Sequence, residues 1–148
     1  MSETALLVSE QRMKQWTQLD DNVRLNEITP HILQAQDIYL QNILGTRLFD
    51  RLKSGVIAAD LTANEELLMK DYVGPTLMQY ALYLMLPSIK YKIVNQGVLN
   101  GTSEETSPTT LEELQFIMQR TLDTAEFYSK RLTKYFFDNP NLFPEYQN

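Results

Sequence analysis

Pairs of adjacent carboxylates are the groups in this sequence best suited in type to acid–base or metal chemistry. Adjacent residues on a helix point in different directions, so such a pair does not converge on one ion or substrate. Two of the pairs follow helix-start signals, where the helix dipole favours negative charge. We therefore interpret all of them as solvated residues and predict no metal site. The pairs are Asp20-Asp21, Glu65-Glu66, Glu104-Glu105 and Glu112-Glu113.

His31 is the only histidine, and no Gly-x-Ser-x-Gly motif accompanies it. A catalytic triad requires several groups in mutual geometry, so we interpret this histidine as a surface residue. Asp20-x-Asn22 resembles the start of a calcium loop, but Leu25 and His31 stand where that loop requires glycine and glutamate. The chain also lacks cysteine and the phosphate-loop, dinucleotide and zinc-protease motifs. We predict no catalytic, metal-binding or cofactor-binding residues, and no enzymatic activity.

Basic and aromatic residues that could contact nucleic acid lie at positions 90–92 and 128–135. The net charge of −6 repels phosphate at long range. Lys130, Arg131 and Lys134 are also explained as compensation of a helix dipole. A helical DNA-binding or regulatory module remains an alternative hypothesis, as does a non-catalytic subunit of a cytoplasmic complex.

The elements that carry these residues are predicted to be helical. With 5 glycines and 6 prolines, the chain has too few turn residues for an all-β fold. Gly45 and Gly55 should end two helices, and Gly74-Pro75 should kink or restart a third. Each helix should begin at a residue whose side chain can accept from free backbone amides. These start signals are Ser9, Thr29-Pro30, Thr46, Thr62 and Thr110.

The chain is predicted to be one all-α domain spanning residues 1–148. We expect a compact bundle of about five helices with a long C-terminal helix after a polar loop at 100–109. An N-terminal arm, residues 1–9, and an aromatic tail, residues 138–148, should extend from it. The most apolar stretch, residues 77–86, is too short to cross a membrane, and the N-terminus does not resemble a secretion signal.

The C-terminal tail is the most informative segment, since 5 of the 15 aromatic residues fall in the last 14 positions. Pro140 and Pro144 prevent one continuous helix there, so the aromatic side chains either pack on their own domain or dock on another chain. The apolar N-terminal arm poses the same alternatives. The candidate interface residues are Leu6, Leu7, Val8, Tyr135, Phe136, Phe137, Leu142, Phe143 and Tyr146.

One run of helix-packing residues resembles the head-to-tail connector, or neck ring, proteins of tailed bacteriophages, in particular those of crAss-like and related Bacteroidetes phages. The predicted order of elements that follows it agrees with that family as well. The residues that carry the resemblance are Asp21-Asn22-Val23, Ile28, Ile32, Ala35-Gln36, Leu40, Leu44-Gly45, Leu48 and Leu52.

The resemblance implies a structural virion protein made in the host bacterial cytoplasm. Such proteins form homo-oligomeric rings, typically of about twelve copies, through head-to-tail contacts between identical subunits. The expected partners are the portal protein and other neck and tail proteins. DNA would pass through the channel without sequence-specific binding, which suits an acidic chain. The family carries no catalytic residues and no membrane segment.

Overall fold

The computed structural model describes residues 5–17, 24–99 and 111–146, without the side chains of residues 25 and 90–99. Every regular element within these ranges is helical, which confirms the predicted fold class. Five helices follow one another, and two of them contain a π-helical turn. They are α1, Glu10–Thr17; α2, residues 25–44 with a π turn at Gln36–Leu40; α3, Thr46–Ala58; α4, residues 63–99 with a π turn at Met69–Val73; and α5, Leu111–Asp138.

Two of the predicted start signals form the expected caps. The Ser9 hydroxyl accepts from the Arg12 backbone N–H at 3.0 Å at the start of α1. At the start of α4, the Thr62 hydroxyl accepts from the Glu65 N–H at 3.1 Å, and the Glu65 carboxylate accepts from the Thr62 N–H at 2.9 Å. This reciprocal arrangement is the capping box that the local sequence predicts.

The start predicted at Thr29-Pro30 is wrong, because α2 begins at Leu25 and Pro30 lies inside it. The Glu27 carboxylate accepts from the Arg24 backbone N–H at 3.1 Å and caps the helix one turn earlier. Pro30 removes a single hydrogen bond, the one to the carbonyl of Asn26. Asn26 is exposed, so water can replace that bond.

Gly45 ends α2 as predicted, although its φ of 80° and ψ of 153° place it in an extended region that only glycine adopts without strain. The prediction that Gly55 ends α3 is wrong. The helix continues to Ala58, and Ala59 takes the left-handed conformation with φ 56°. Gly55 is buried, and a Cβ atom there would collide with the side chain of Leu61, so close packing explains this glycine.

The chain stays helical through Gly74-Pro75, and the regular α-helix starts again at Gly74, directly after the π turn at Met69–Val73. The Gly74 N–H bonds to the carbonyl of Met69, and this leaves the Lys70 carbonyl without its α-helical donor. Pro75 has no N–H for the carbonyl of Asp71. Both carbonyls are satisfied by arginine side chains from other helices, as described below.

The core is one hydrophobic cluster centred on the middle of α4, as its apolar sequence predicts. Leu77, Met78, Ala81 and Met85 are almost fully buried there. Tyr80 stacks on Tyr39 of the α2 π turn, with ring centroids 4.1 Å apart. None of the helices within the described ranges is long and apolar enough to cross a lipid bilayer.

Replacing Ala59 by glycine should stabilise the protein, because a left-handed conformation is strained for alanine and free for glycine. We expect the free energy of unfolding to rise by about 0.5 kcal/mol, measured by urea denaturation. Ala58→Gly, one residue earlier in helical conformation, is the matched control and should lower it by a similar amount. Equal effects of both variants would contradict the assignment of Ala59 as the C-terminal cap.

Candidate interaction surface

The N-terminal arm packs on its own chain, where Gln36 holds it in place. The Gln36 side chain accepts from the Leu7 backbone N–H at 2.7 Å and donates to the Ala5 carbonyl at 3.0 Å. Gln36 lies in the π turn of α2 and is 2% exposed, so both bonds are shielded from water. Leu7 and Val8 are buried in the core beside it.

The C-terminal tail also folds back on the domain. Phe136 and Phe143 are buried and lie edge to face, with centroids 5.5 Å apart. Tyr146 stacks on the other side of Phe136 at 4.0 Å, and Tyr135 stacks on Tyr72 of the α4 π turn at 4.0 Å. Aromatic contacts with Tyr135 and Phe136 therefore anchor the tail on the last turn of α5.

Seven of the nine candidate interface residues are thus packed within the chain. Leu7, Val8, Phe136 and Phe143 are buried, and Leu6, Tyr135 and Tyr146 are partly buried against the core. Phe137, at 83% exposure, and Leu142, at 38%, are the two that solvent reaches. An interface role for any of the nine stays a prediction, and for these two it requires no rearrangement of the tail.

Two arginines fix α1 and α5 to the α4 π turn. The Arg12 guanidinium donates to the Lys70 carbonyl at 2.7 Å, and Arg131 donates to the Asp71 carbonyl at 3.0 Å. Arg131 also lies over the ring of Tyr72, 4.5 Å from its centroid. Arg12 covers Gly74 so closely that a Cβ atom there would meet its guanidinium at 2.8 Å. These contacts hold α1 and α5 against the α4 π turn.

The outer side of α5 presents large apolar residues that the sequence analysis overlooked. Phe116 and Phe127 are 63% and 62% exposed, and Ile117 is 44% exposed. The two phenylalanines are eleven residues apart, which is three helical turns, so they lie on one face. That spacing was the available signal, and exposure of this kind marks interaction sites.

Charged residues complete the same face. We define the outer face of α5 by the residues that recur along it at alternating spacings of three and four, all of them exposed: Glu113, Phe116, Arg120, Asp123, Phe127 and Lys130. The Arg120 guanidinium lies 5.9 Å from the Phe116 ring centroid. A shallow groove of about 530 Å³ runs beside Phe116, lined also by Glu112, Glu113 and Ile117.

Glu65 is not solvated, unlike its neighbour Glu66, which is exposed. Glu65 is 5% exposed and accepts two bonds from Arg51, at 3.0 and 2.9 Å, and these hold its pKa below the usual value. The interpretation as a solvated residue was therefore wrong for Glu65, which ties α4 to α3. Asp20-Asp21 and Glu104-Glu105 lie outside the described residues.

His31 is half-buried, contrary to the prediction of a surface residue. Burial lowers its pKa, and Nδ1 has no hydrogen-bond partner. Within the described ranges, no three residues of the types that bind metals come together as a possible metal site.

Four of the basic and aromatic residues considered for nucleic acid make contacts within the chain, whereas Lys130 is exposed on the outer face of α5. Arg131 holds the π turn, Tyr135 is stacked, and Lys134 pairs with Asp138 at 2.6 Å. Tyr128 lies edge to face with Trp16 of α1, with centroids 6.1 Å apart. The side chains of residues 90–92 lie outside the description.

Residues 40–148 match the model of a protein family, described as a family of unknown function and designated DUF6712. The chain belongs to DUF6712. The match contains the α4 π turn and all of α5, including its outer face. It does not contain the N-terminal arm or Gln36. No curated protein and no solved structure matches the chain.

Replacing Gln36 by alanine should detach the N-terminal arm of this DUF6712 member, since the Leu7 N–H and the Ala5 carbonyl lose their partner. We expect the free energy of unfolding to fall by about 2 kcal/mol, with faster amide hydrogen exchange at Leu7. Gln115→Ala, an exposed glutamine of α5, should change it by less than about 0.5 kcal/mol. Unchanged exchange at Leu7 would contradict the role of Gln36 in holding the arm.

Proposed function

We propose that this protein is a structural subunit that assembles with copies of itself, as a ring in the neck of a tailed bacteriophage between portal and tail. The ring surrounds the channel through which DNA passes. The protein is made in the host cytoplasm and resides in the virion. The resemblance of residues 21–52 to connector proteins supports the place of the ring, and the exposed surface described next supports assembly.

The observation that carries the proposal is the distribution of exposed apolar side chains over several helices. A head-to-tail ring contact joins two different surfaces of identical subunits, so one subunit must present both. Ile38 of α2, Ile57 of α3 and Leu67 of α4 are 51%, 46% and 46% exposed. Phe127 and Phe137 of α5 are 62% and 83% exposed. Exposed apolar side chains on more than one helix are what a subunit with two different neighbours requires.

The charge of the chain suits the channel. A net charge of −6 disfavours adhesion to phosphate, so an acidic wall lets DNA slide past without binding. Arg12 and Arg131, which bind the α4 π turn, and Lys134, which pairs with Asp138, are engaged within the subunit and are therefore less available to DNA.

The alternative functions are a helical DNA-binding or regulatory module and a non-catalytic subunit of another cytoplasmic complex. A DNA-binding module would bind duplex DNA with an affinity that falls steeply with salt. A connector subunit should bind the portal and ignore free DNA. A DNA titration at two salt concentrations therefore separates the first alternative from the proposal.

The direct test is the solution mass of the protein, alone and mixed with the portal protein of the same genome. We expect a closed ring of about twelve 17.2 kDa chains, formed alone or on the portal. A protein that ignores the portal and never forms a ring would contradict the proposal.

A matched pair of variants tests whether Phe137, at the end of α5, takes part in the ring contact. Phe137→Ser removes the most exposed phenylalanine and should weaken ring or portal binding by about tenfold or more, as expected for an aromatic interface anchor. Asn141→Ser changes another exposed residue of the same terminus and should leave binding unchanged. Equal binding by both variants would exclude Phe137 from the contact.

A further inference from the structure

The outer face of α5 is self-complementary. Its six residues are arranged symmetrically about the midpoint between Thr121 and Leu122, with Phe116 and Phe127 at equal distances on either side. Arg120 and Asp123 are equally far from the midpoint, and so are Glu113 and Lys130. Each charged residue therefore has a counterpart of opposite sign at the same distance. The spacings of three, four, three, four and three residues read the same in both directions.

A two-fold axis through this midpoint brings each residue opposite its mirror partner on a second copy. Phe116 of one copy then faces Phe127 of the other, and Arg120 faces Asp123. The same contacts repeat on the other side of the axis, which is the property of an isologous interface. The alternating spacing is that of a helix-pairing seam, in which side chains of two helices interdigitate.

We propose that the outer face of α5 binds the same face of a second copy of this chain, with the two helices antiparallel. The groove beside Phe116, about 530 Å³ in volume, receives Phe127 of the other copy. The seam covers the stretch from Glu113 to Lys130, about 25 Å of helix.

The phenylalanines supply the affinity, and the charged residues determine that the two helices run antiparallel. Burying four rings that are each about 60% exposed removes several hundred Å² of apolar surface, and the flanking charged residues of the seam add to this area, so the contact is of the size expected for a weak, reversible dimer. Exposed ion pairs contribute little affinity, but like charges placed opposite each other disfavour a wrong register. In a parallel pair, each charged residue would lie near the same residue of the other copy. Repulsion between these like charges disfavours that arrangement.

This contact is two-fold, whereas a ring contact runs head to tail, so the pairing describes the subunit outside a ring. It rests on the outer face of α5 alone and does not depend on the proposed neck function. A subunit paired in this way keeps its exposed phenylalanines covered until another surface displaces the second copy.

Charge-swap variants test the pairing by sedimentation velocity over a range of concentrations. The wild type should approach twice the 17.2 kDa chain mass as concentration rises. Arg120→Asp and Asp123→Arg should each weaken dimerisation by about tenfold or more, since each places like charges together on both sides of the axis. The double variant R120D/D123R restores both contacts and should recover wild-type dimerisation. Circular dichroism of dilute samples confirms that all three variants fold.

A wild type that stays monomeric, or passes directly from monomer to ring, overturns the pairing. So does a double variant as weak as the single ones. Because the chain has no cysteine, introduced thiols report the direction of the helices. Phe116→Cys mixed with Phe127→Cys should form a disulfide between the two variants, and rapid cross-linking of Phe116→Cys with itself would contradict the antiparallel arrangement.

Discussion

Two orphaned carbonyl groups in α4 determine how the other helices are arranged. The π turn and Pro75 deprive Lys70 and Asp71 of backbone donors, which leaves both carbonyl groups open to donors from other helices. Arg12 from α1 and Arg131 from α5 supply those donors. Together with the buried apolar faces of α1 and α5, these two bonds join both helices to the same turn of α4.

This constraint decides which side of α5 is free. Arg131 and the stack of Tyr135 on Tyr72 turn one side of the helix inward, and Leu132 and Phe136 continue the contact with the core. The side with Phe116 and Phe127 is left facing solvent. A partner can contact these side chains without any rearrangement, whereas most of the aromatic residues of the tail would first have to leave the core. The outer face of α5 is therefore a better-prepared interaction surface than the packed tail.

Local signals in the sequence were sufficient for part of this arrangement. The capping box at Thr62 and Glu65 and the helix end at Gly45 depend on neighbours within four residues, so the sequence predicts them correctly. The continuity of α4 through Pro75 depends on Arg12 and Arg131, 58 and 60 residues from the carbonyls they bind. No local rule could reveal those donors.

The candidate surface also combines features that the local sequence predicts with features that depend on distant residues. The concentration of aromatic residues in the C-terminal segment made it a candidate interface, but Phe136 and Phe143 are buried in the core. The periodic spacing of Phe116 and Phe127 was visible in the sequence, whereas their exposure follows from the way Arg131 orients α5. The two hydrogen bonds by which Gln36 holds the N-terminal arm were not predictable, since a buried glutamine in a π turn has no sequence signature.

The outer face of α5 is tested most directly by fluorine NMR of protein labelled with fluorophenylalanine, since the chain has only six phenylalanines. Resonances are assigned by single Phe→Leu substitutions. As concentration increases, the signals of Phe116 and Phe127 should shift together, and those of buried Phe49 and Phe136 should not. Unchanged signals from Phe116 and Phe127 in a sample shown to be oligomeric would contradict the account, because association would then occur through another surface.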